Sequence, residues 1–272
     1  MTGKEDDMVR TVSASEVAPT TYAWEVKAEG LVVKAGRRRA VNGLDLSLGV
    51  GVHGLLGPNG AGKTTFIRAL ATIVRPSGGA LELFGQDVRR SRDLREVRRR
   101  IGYLPQQFGY YRRFTVREFV EYLAWLKEMP KQDVPGAVQR AIERVGLADR
   151  ADDKMKTLSG GMVRRAGIAQ AIVNDPAVLL LDEPTAGLDP AQRMQFRELL
   201  HDLRADTCVV VSTHLVEDVA AACTDVALID EGELVFQGSA ADLAAAGTGS
   251  DAGDSDTERG YSALLAEHRR SA

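Results

Sequence analysis

The sequence Gly57-Pro58-Asn59-Gly60-Ala61-Gly62-Lys63-Thr64-Thr65 decides the fold of this chain. It fits the pattern G-x-x-x-x-G-K-[ST], which forms a phosphate-binding P-loop when it joins a strand to a helix. Apolar residues 53–56 precede it, and a helical pattern over residues 65–70 follows it. Glycines let the backbone turn its N–H groups towards phosphate oxygens, and the helix N-terminus adds partial positive charge. The stretch therefore predicts a strand, a loop and a helix that bind phosphate.

Two side chains of this loop have expected roles. Lys63 would reach the outer phosphates of a nucleotide, and Thr64 would hold Mg²⁺ through its hydroxyl. The alternative is a glycine-rich loop that carries Lys and Thr by accident. The strand and helix patterns on either side disfavour that alternative.

The composition is that of an ordinary globular protein and excludes several classes. The 272 residues are 44% hydrophobic and 27% charged, and the net charge of −3 does not call for nucleic acid. Cys208 and Cys223 show neither metal-ligand spacing nor a disulfide framework, which indicates a reducing compartment. The sequence has no N-terminal apolar signal region, and no run approaches the ~20 apolar residues of a membrane span. Any link to a membrane is therefore expected to go through a partner.

Three segments are predicted along the chain. Residues 1–23 are polar and unpatterned and are interpreted as a flexible tail. Residues 24–245 form one folded domain that starts with short alternating strands. Residues 246–272 are predicted to be a flexible acidic linker and a short amphipathic helix from Tyr261 to His268. The arginine-rich residues 89–100 are interpreted as a solvated helix face, with a dedicated anion-binding surface as the alternative.

Strand and helix patterns alternate through the folded domain. The run from Ala177 to Leu181 predicts a central parallel strand that is buried on both faces. Further strands are predicted at residues 207–211 and 226–229. The pattern is helical from Val116 to Ala171, and one helix there ends at Gly146. The order favours an α/β core with a parallel sheet and a helical insert.

Two adjacent carboxylates follow the predicted central strand. Ligands of open α/β sheets bind at the carboxyl ends of strands, where Asp182 can hold Mg²⁺. Successive strand residues point in opposite directions, so Glu183 is aimed elsewhere and can polarise an attacking water. Alone, the pair would be interpreted as a polar strand end. Beside a P-loop, the catalytic interpretation is favoured.

The sequence Leu158-Ser159-Gly160-Gly161-Met162 opens a helix with Ser159 as the expected N-cap. By itself it indicates a capped helix after a turn. An exposed Ser-Gly-Gly at a helix N-terminus is also a possible anion site.

These motifs resemble those of the nucleotide-binding subunit of an ATP-binding-cassette (ABC) transporter. The resemblance covers residues 24–245. The P-loop resembles the Walker A motif of that family, and Val178 to Asp182 resembles the Walker B strand, with Glu183 as the catalytic carboxylate. Residues 158–162 resemble the LSGGQ signature, with Met162 in place of Gln.

Three further motifs follow the family order. Gln106, after Tyr103-Leu104-Pro105, resembles the Q-loop glutamine. Asp189 closes a sequence that resembles the D-loop, and His214 resembles the switch histidine. The motifs are most similar to those of exporters of drugs, antibiotics or similar small molecules, whose membrane subunit is a separate chain.

The resemblance implies a P-loop NTPase fold with a RecA-like parallel core, an N-terminal antiparallel β subdomain and an inserted helical subdomain over about residues 106–172. It implies an ATP hydrolase that uses ATP and Mg²⁺. The implied metal ligands are Thr64, Gln106 and Asp182, and the implied catalytic residues are Glu183, His214, Gln106 and Lys63. The implied nucleotide contacts are Gly57, Pro58, Asn59, Gly60, Ala61, Gly62, Lys63, Thr64 and Thr65, with Ser159, Gly160, Gly161 and Asp189 acting from a second subunit.

The implied partners are a second copy of the chain, paired head to tail, and a multi-span permease on whose cytoplasmic face the pair sits. Nucleic acid is not expected. One alternative is an ABC ATPase acting on DNA or the ribosome, although the chain lacks the long coiled coil and the second cassette typical of those classes. Another alternative is a regulatory cassette that gates a membrane partner.

Two positions depart from the family pattern. Ala35 stands where the family has an aromatic residue that stacks on adenine, which predicts weaker base binding or looser base selectivity. Tyr22 and Trp24 are the nearby aromatic substitutes. Met162 is expected to cost little, because Ser159 and backbone N–H groups make most of the phosphate contacts of that motif.

Overall fold

The computed structural model describes residues 26–217, 222–248 and 253–271. The predicted tail, residues 1–23, lies outside the described residues, as do Tyr22 and Trp24. Residues 249–252 of the predicted linker also lie outside them.

A six-stranded sheet forms the core. Its strands, in spatial order, are β10 (Glu233–Gly238), β9 (Asp225–Asp230), β3 (Gly51–Leu56), β8 (Cys208–Ser212), β7 (Val178–Asp182) and β6 (Ile101–Leu104). β10 is antiparallel to β9, and the other five strands are parallel. Every residue of β3, β7 and β8 is buried, which explains the continuous apolar runs in their sequences. The predicted parallel α/β core is confirmed.

A second sheet is antiparallel and comes mainly from the N-terminal part of the chain. Its order is β2 (Arg38–Leu48), β1 (Val26–Ala35), β4 (Gly78–Leu83) and β5 (Gln86–Asp87). Its inner face and the helix α1 (Lys63–Leu70) share one apolar cluster with strands of the core sheet. The antiparallel β subdomain therefore packs directly on the P-loop helix.

Helices dominate the segment between β6 and β7. They are α3 (Val116–Leu126), α4 (Val134–Arg144) and α5 (Gly160–Ile172), with 3₁₀ turns at Ala148–Arg150 and Met155–Thr157. Gly146 has a left-handed φ of 65° and follows the end of α4, as the sequence predicted. Before β6, only α2 (Arg95–Arg99) is helical in the arginine-rich segment, so the predicted helix face there extends over five residues.

The C-terminal part is more ordered than the sequence suggested. α6 (Pro190–Leu203) lies between β7 and β8. Two helices follow β10, namely α7 (Ala240–Ala245) and α8 (Asp256–Ser271). α8 has 16 residues and starts five residues before Tyr261, the predicted start of the helix. Leu265 is buried against the folded domain, and Arg269 Nε donates to Asp230 Oδ2 at 2.8 Å. The terminal helix is thus longer than the predicted range from Tyr261 to His268.

Across the described ranges, no helix is both long enough and apolar enough to cross a bilayer.

Candidate nucleotide site

The P-loop wraps tightly against neighbouring backbone and leads into α1. Gly62 has φ of 112° and precedes the first helical residue, Lys63. A Cβ at Gly62 would lie 2.1 Å from the carbonyl oxygen of Ala40, and one at Gly57 would lie 2.1 Å from that of Ile229. Only glycine fits these two positions. No side chain caps α1 and its first turn holds no acidic residue, so its positive end is left for an anionic ligand.

Lys63 folds back over the loop that precedes it. Its Nζ donates to the carbonyl oxygens of Gly57 at 2.6 Å and Pro58 at 3.1 Å. Burial lowers the pKa of Lys63, while the nearby charges of Glu183 and Asp182 raise it. Loop carbonyls therefore hold the ammonium at the site, near the charges of Glu183 and Asp182.

Asp182 has one engaged oxygen and one open oxygen. Its Oδ1 accepts hydrogen bonds from Ser212 Oγ at 2.5 Å and Thr64 Oγ1 at 3.2 Å. Its Oδ2 is buried and has no hydrogen-bond partner among the described residues. Buried polar atoms are normally satisfied, so this oxygen beside a hydroxyl fits a ligand of a hard cation.

Glu183 turns away from Asp182 through an unusual backbone conformation. Its φ of 51° is left-handed, which is rare for residues other than glycine. Its N–H donates to the carbonyl oxygen of Ser212 at 3.1 Å, and its carboxylate lies 3.0 Å and 3.1 Å from Nδ1 of His214. The side chain of Glu183 is mostly buried, whereas that of His214 is 56% exposed. The pair thus joins a sheltered carboxylate to an accessible imidazole.

A cavity of about 330 Å³ lies over the loop. Residues 59–65 form its floor, and Gln106 and Glu183 line it as well. Ala35, Arg38 and Ala40 complete its lining. The structure thus places Gln106, Glu183 and the P-loop together.

The signature and D-loop residues do not line this cavity. Ser159 is exposed at the N-terminus of α5, where its Oγ accepts from the N–H of Met162 at 3.3 Å. Gly161 packs so closely on Gln192 that a Cβ would lie 2.3 Å from its Oε1. Asp189 caps α6 by accepting from the N–H of Gln192 at 2.8 Å. These residues are therefore not part of the cavity of their own chain.

Two residues of the site were missed in the sequence. Ser212 is the hydroxyl donor to Asp182, and a polar residue at the carboxyl end of the strand beside β7 was the available signal. Arg164 is a buried arginine of α5 that bonds backbone next to the carboxylates. Only a weak indication in the sequence pointed to Arg164 as part of the site, because an arginine at a helical position usually faces solvent.

The fold and the site define a P-loop ATPase cassette, and residues 41–186 match the family described as ABC transporter. The chain belongs to the ABC transporter family, as its ATP-binding, ATP-hydrolysing subunit. The DNA- and ribosome-associated alternatives are therefore disfavoured.

Three relatives illustrate the similarity. The daunorubicin/doxorubicin resistance ATP-binding protein DrrA of Streptomyces peucetius is 39% identical over 80% of this chain and 66% of its own length. A Nod factor export ATP-binding protein of Burkholderia orbicola is 40% identical over 75% of this chain and 67% of its own length. The chain thus spans about two thirds of these relatives. The dimeric structure of the bacterial ABC transporter cassette MJ0796 is 25% identical, with a TM-score of 0.72 over 79% of this chain and 98% of that one.

Proposed function

We propose that this chain powers the export of a small molecule through a separate membrane subunit, on whose cytoplasmic face it sits. The relatives named for drug resistance and Nod factor export support the export direction. The observation that carries the ATPase part is the grouping of Lys63, Thr64 and Glu183 around one cavity with a P-loop floor. Asp182 is attached to this group through the hydrogen bond that Thr64 Oγ1 donates to it.

The active unit is proposed to be a head-to-tail pair of chains. Ser159 and Gly160 are exposed at the N-terminus of α5, outside the cavity of their own chain. A helix N-terminus attracts phosphate, so each signature loop would close on the γ-phosphate bound by the partner's P-loop. The dimeric form of MJ0796 supports this arrangement. ATP would hold the pair closed, and hydrolysis would open it.

The residues fit a bound Mg²⁺. Asp182 Oδ2 is buried without a partner in the described residues, and Thr64 Oγ1 lies beside the same carboxylate. Mg²⁺ usually takes one or two protein oxygens together with substrate phosphates. Asp182, Thr64 and Gln106 would hold the ion, which would neutralise charge on the phosphates.

Hydrolysis is assigned to Glu183 and His214. The Glu183 carboxylate would orient the attacking water and accept its proton. His214, fixed by its hydrogen bond to that carboxylate, would contact the γ-phosphate with its second nitrogen. Lys63 and the N–H groups of the P-loop would stabilise the charge that develops on the transferred group.

The helical insert offers a surface for the membrane subunit. Tyr111, Trp125 and Leu126 are exposed apolar side chains of the insert, and ring contacts through Tyr122 connect Tyr111 to Trp125. Large exposed apolar groups mark protein interaction sites. Because this segment starts directly after Gln106, a change at the γ-phosphate would reach the membrane subunit through it.

Co-purification from detergent-solubilised membranes tests the proposal. The tagged full chain should retain a multi-span membrane protein, and replacement of Trp125 by Ser should weaken that retention. Recovery of ribosomal RNA or DNA instead would contradict the transport function. A retained membrane protein that conducts ions without substrate export would favour the regulatory alternative.

A further inference from the structure

Arg164 of α5 is a buried cation that no step above uses. Its side chain is only 6% exposed. Within the described residues its hydrogen bonds all go to main-chain carbonyl oxygens. The acceptors are those of Pro105 at 2.9 Å, Gln106 at 3.1 Å, Asp182 at 2.5 Å, Glu183 at 2.7 Å and Pro184 at 3.2 Å.

The three nitrogens of this guanidinium divide their acceptors by segment. Nη1 bonds the start of the loop after β6, at Pro105 and Gln106. Nη2 and Nε bond the end of β7 and the residues after it. The planar five-donor fork of arginine can bridge two backbone segments in this way, whereas the three donors of a lysine ammonium cannot replace all five bonds. Arg164 thus joins the Gln106 loop to the backbone of Asp182 and Glu183.

The strained backbone of Glu183 gives this contact a consequence. With φ of 51°, Glu183 needs its neighbouring peptide groups held in place. The carbonyl of Ser212 holds its N–H, and Nη2 of Arg164 holds its own carbonyl. Both peptide groups of the residue are hydrogen-bonded, which fixes the backbone from which its carboxylate reaches His214.

The same helix carries the signature loop. Ser159 caps the N-terminus of α5, and Arg164 lies just over one turn further along. A rotation of α5 that follows the engagement of Ser159 by a partner's nucleotide would therefore move the group that holds Glu183 and Gln106.

We propose that Arg164 is a positioning residue that makes the hydrolytic geometry of Glu183 and Gln106 depend on the orientation of the signature helix. This inference rests on the proposed roles of Glu183 and Ser159. It assigns Arg164 an effect on turnover that is separate from nucleotide binding, since none of its bonds involves the P-loop.

The neighbouring Arg165 provides a matched control. It lies on the same helix, is partly buried, and donates to the carbonyl oxygens of Val145 and Gly146 at the end of α4. Arg165→Met therefore removes a similar side chain and similar carbonyl contacts outside the nucleotide site.

The test compares Arg164→Lys, Arg164→Met and Arg165→Met in the purified full chain, by kcat, KM, affinity for a fluorescent ATP analogue, and Tm. Arg164→Lys keeps the charge, so it covers the case in which Arg164→Met fails to fold. We expect Arg164→Lys to lower kcat by about tenfold or more with nearly unchanged analogue affinity. We also expect it to increase the fraction of ATP-bound dimer, because closure is retained while turnover slows. Arg165→Met should lower Tm, but it should not lower kcat selectively at an unchanged affinity for the analogue.

Folded Arg164→Lys with a kcat within about twofold of wild type would overturn the inference. So would a parallel loss of kcat and affinity that merely follows Tm, as a structural role would give. Wild-type turnover and its loss in Glu183→Gln are measured alongside. If those behave as expected while Arg164→Lys is normal, only the positioning role fails; if Glu183→Gln retains activity, the proposed mechanism fails.

Discussion

Nδ1 of His214 lies 3.0 Å from Oε2 and 3.1 Å from Oε1 of Glu183. The sheet produces this contact, because β7 and β8 are parallel neighbours in which Asp182 pairs with Ser212. Both strands end at that pair, and the carboxylate one residue after β7 meets the imidazole two residues after β8. With its proton on Nδ1, the ring donates to Glu183, and Nε2 remains for a phosphate oxygen.

Removal of the charge of Asp182 should affect the metal specifically. Asp182→Asn keeps an oxygen for the hydroxyl of Ser212, but loses the anionic Oδ2 that has no partner among the described residues. We expect the Mg²⁺ concentration for half-maximal ATPase activity to rise by about tenfold or more, since carboxylates dominate Mg²⁺ binding. ATP binding in EDTA should change little. Asp206→Asn, at the opposite end of the sheet, is the control, and an unchanged Mg²⁺ requirement in Asp182→Asn would remove Asp182 from the metal site.

A large side chain at Ser159 should block pairing without preventing binding. Ser159→Arg would place a long cation at the exposed N-terminus of α5. In a Glu183→Gln background, it should stay monomeric with ATP in size-exclusion chromatography with light scattering. The affinity of the monomer for a fluorescent ATP analogue should remain.

Ser159→Ala is the matched control, because it also loses the hydrogen bond to Met162, a cap that is worth about 1 kcal/mol, but adds no bulk. It should still pair. A normal ATP-bound dimer of Ser159→Arg would argue against the shared site.

The lining of the cavity predicts altered nucleotide selectivity. Ala35 and Arg38 belong to that lining, and neither offers an aromatic ring. Ala35→Tyr should improve the preference for ATP over GTP in competition assays, since stacking on an aromatic is worth roughly 1–3 kcal/mol in related base contacts. Ala35→Leu adds apolar area without a ring and should give less discrimination. Equal competition by GTP in wild type and Ala35→Tyr would disprove the selectivity hypothesis.

His53 predicts a loss of stability in mild acid. Burial lowers its pKa below the ordinary 6.5, against smaller upward effects of the Gly49 carbonyl and Asp225. Below pH 6.5 the unfolded chain binds a proton at His53 that the folded chain does not. The free energy of unfolding therefore decreases as the pH is lowered through this range. Each unit of pKa lowering corresponds to about 1.4 kcal/mol.

Denaturant unfolding at pH 7.5 and 5.5 measures this effect. His53→Gln should show a smaller drop in unfolding free energy than wild type, whereas the exposed His201→Gln should behave like wild type. An identical drop in all three proteins would show that His53 does not carry the acid sensitivity.

The sequence predicted the elements whose signal is local. β7 appears where five apolar residues precede two acids, and α4 ends before Gly146 as glycine capping requires. The P-loop was recognisable because its glycines are needed for local backbone geometry. These features depend on neighbours within a few residues.

What the sequence did not predict depends on distant contacts. Arg164 looks like a solvent-facing helix residue until the carbonyls of Gln106 and Glu183, 58 and 19 residues away, are brought to it. The docking of α8 depends on Asp230, which lies 39 residues before Arg269. The left-handed turn at Glu183 has no sequence signature, because glycine or asparagine would be expected there.

The account depends most directly on Glu183 as the base for hydrolysis. The decisive measurement is single-turnover ATP hydrolysis by Glu183→Gln, with the exposed Glu198→Gln as control and the oligomeric state recorded in the same samples. We predict a rate at least about 100-fold below wild type, with intact ATP trapped in a dimer, and near-normal hydrolysis by the control. Hydrolysis by Glu183→Gln at the wild-type rate would contradict the proposed mechanism.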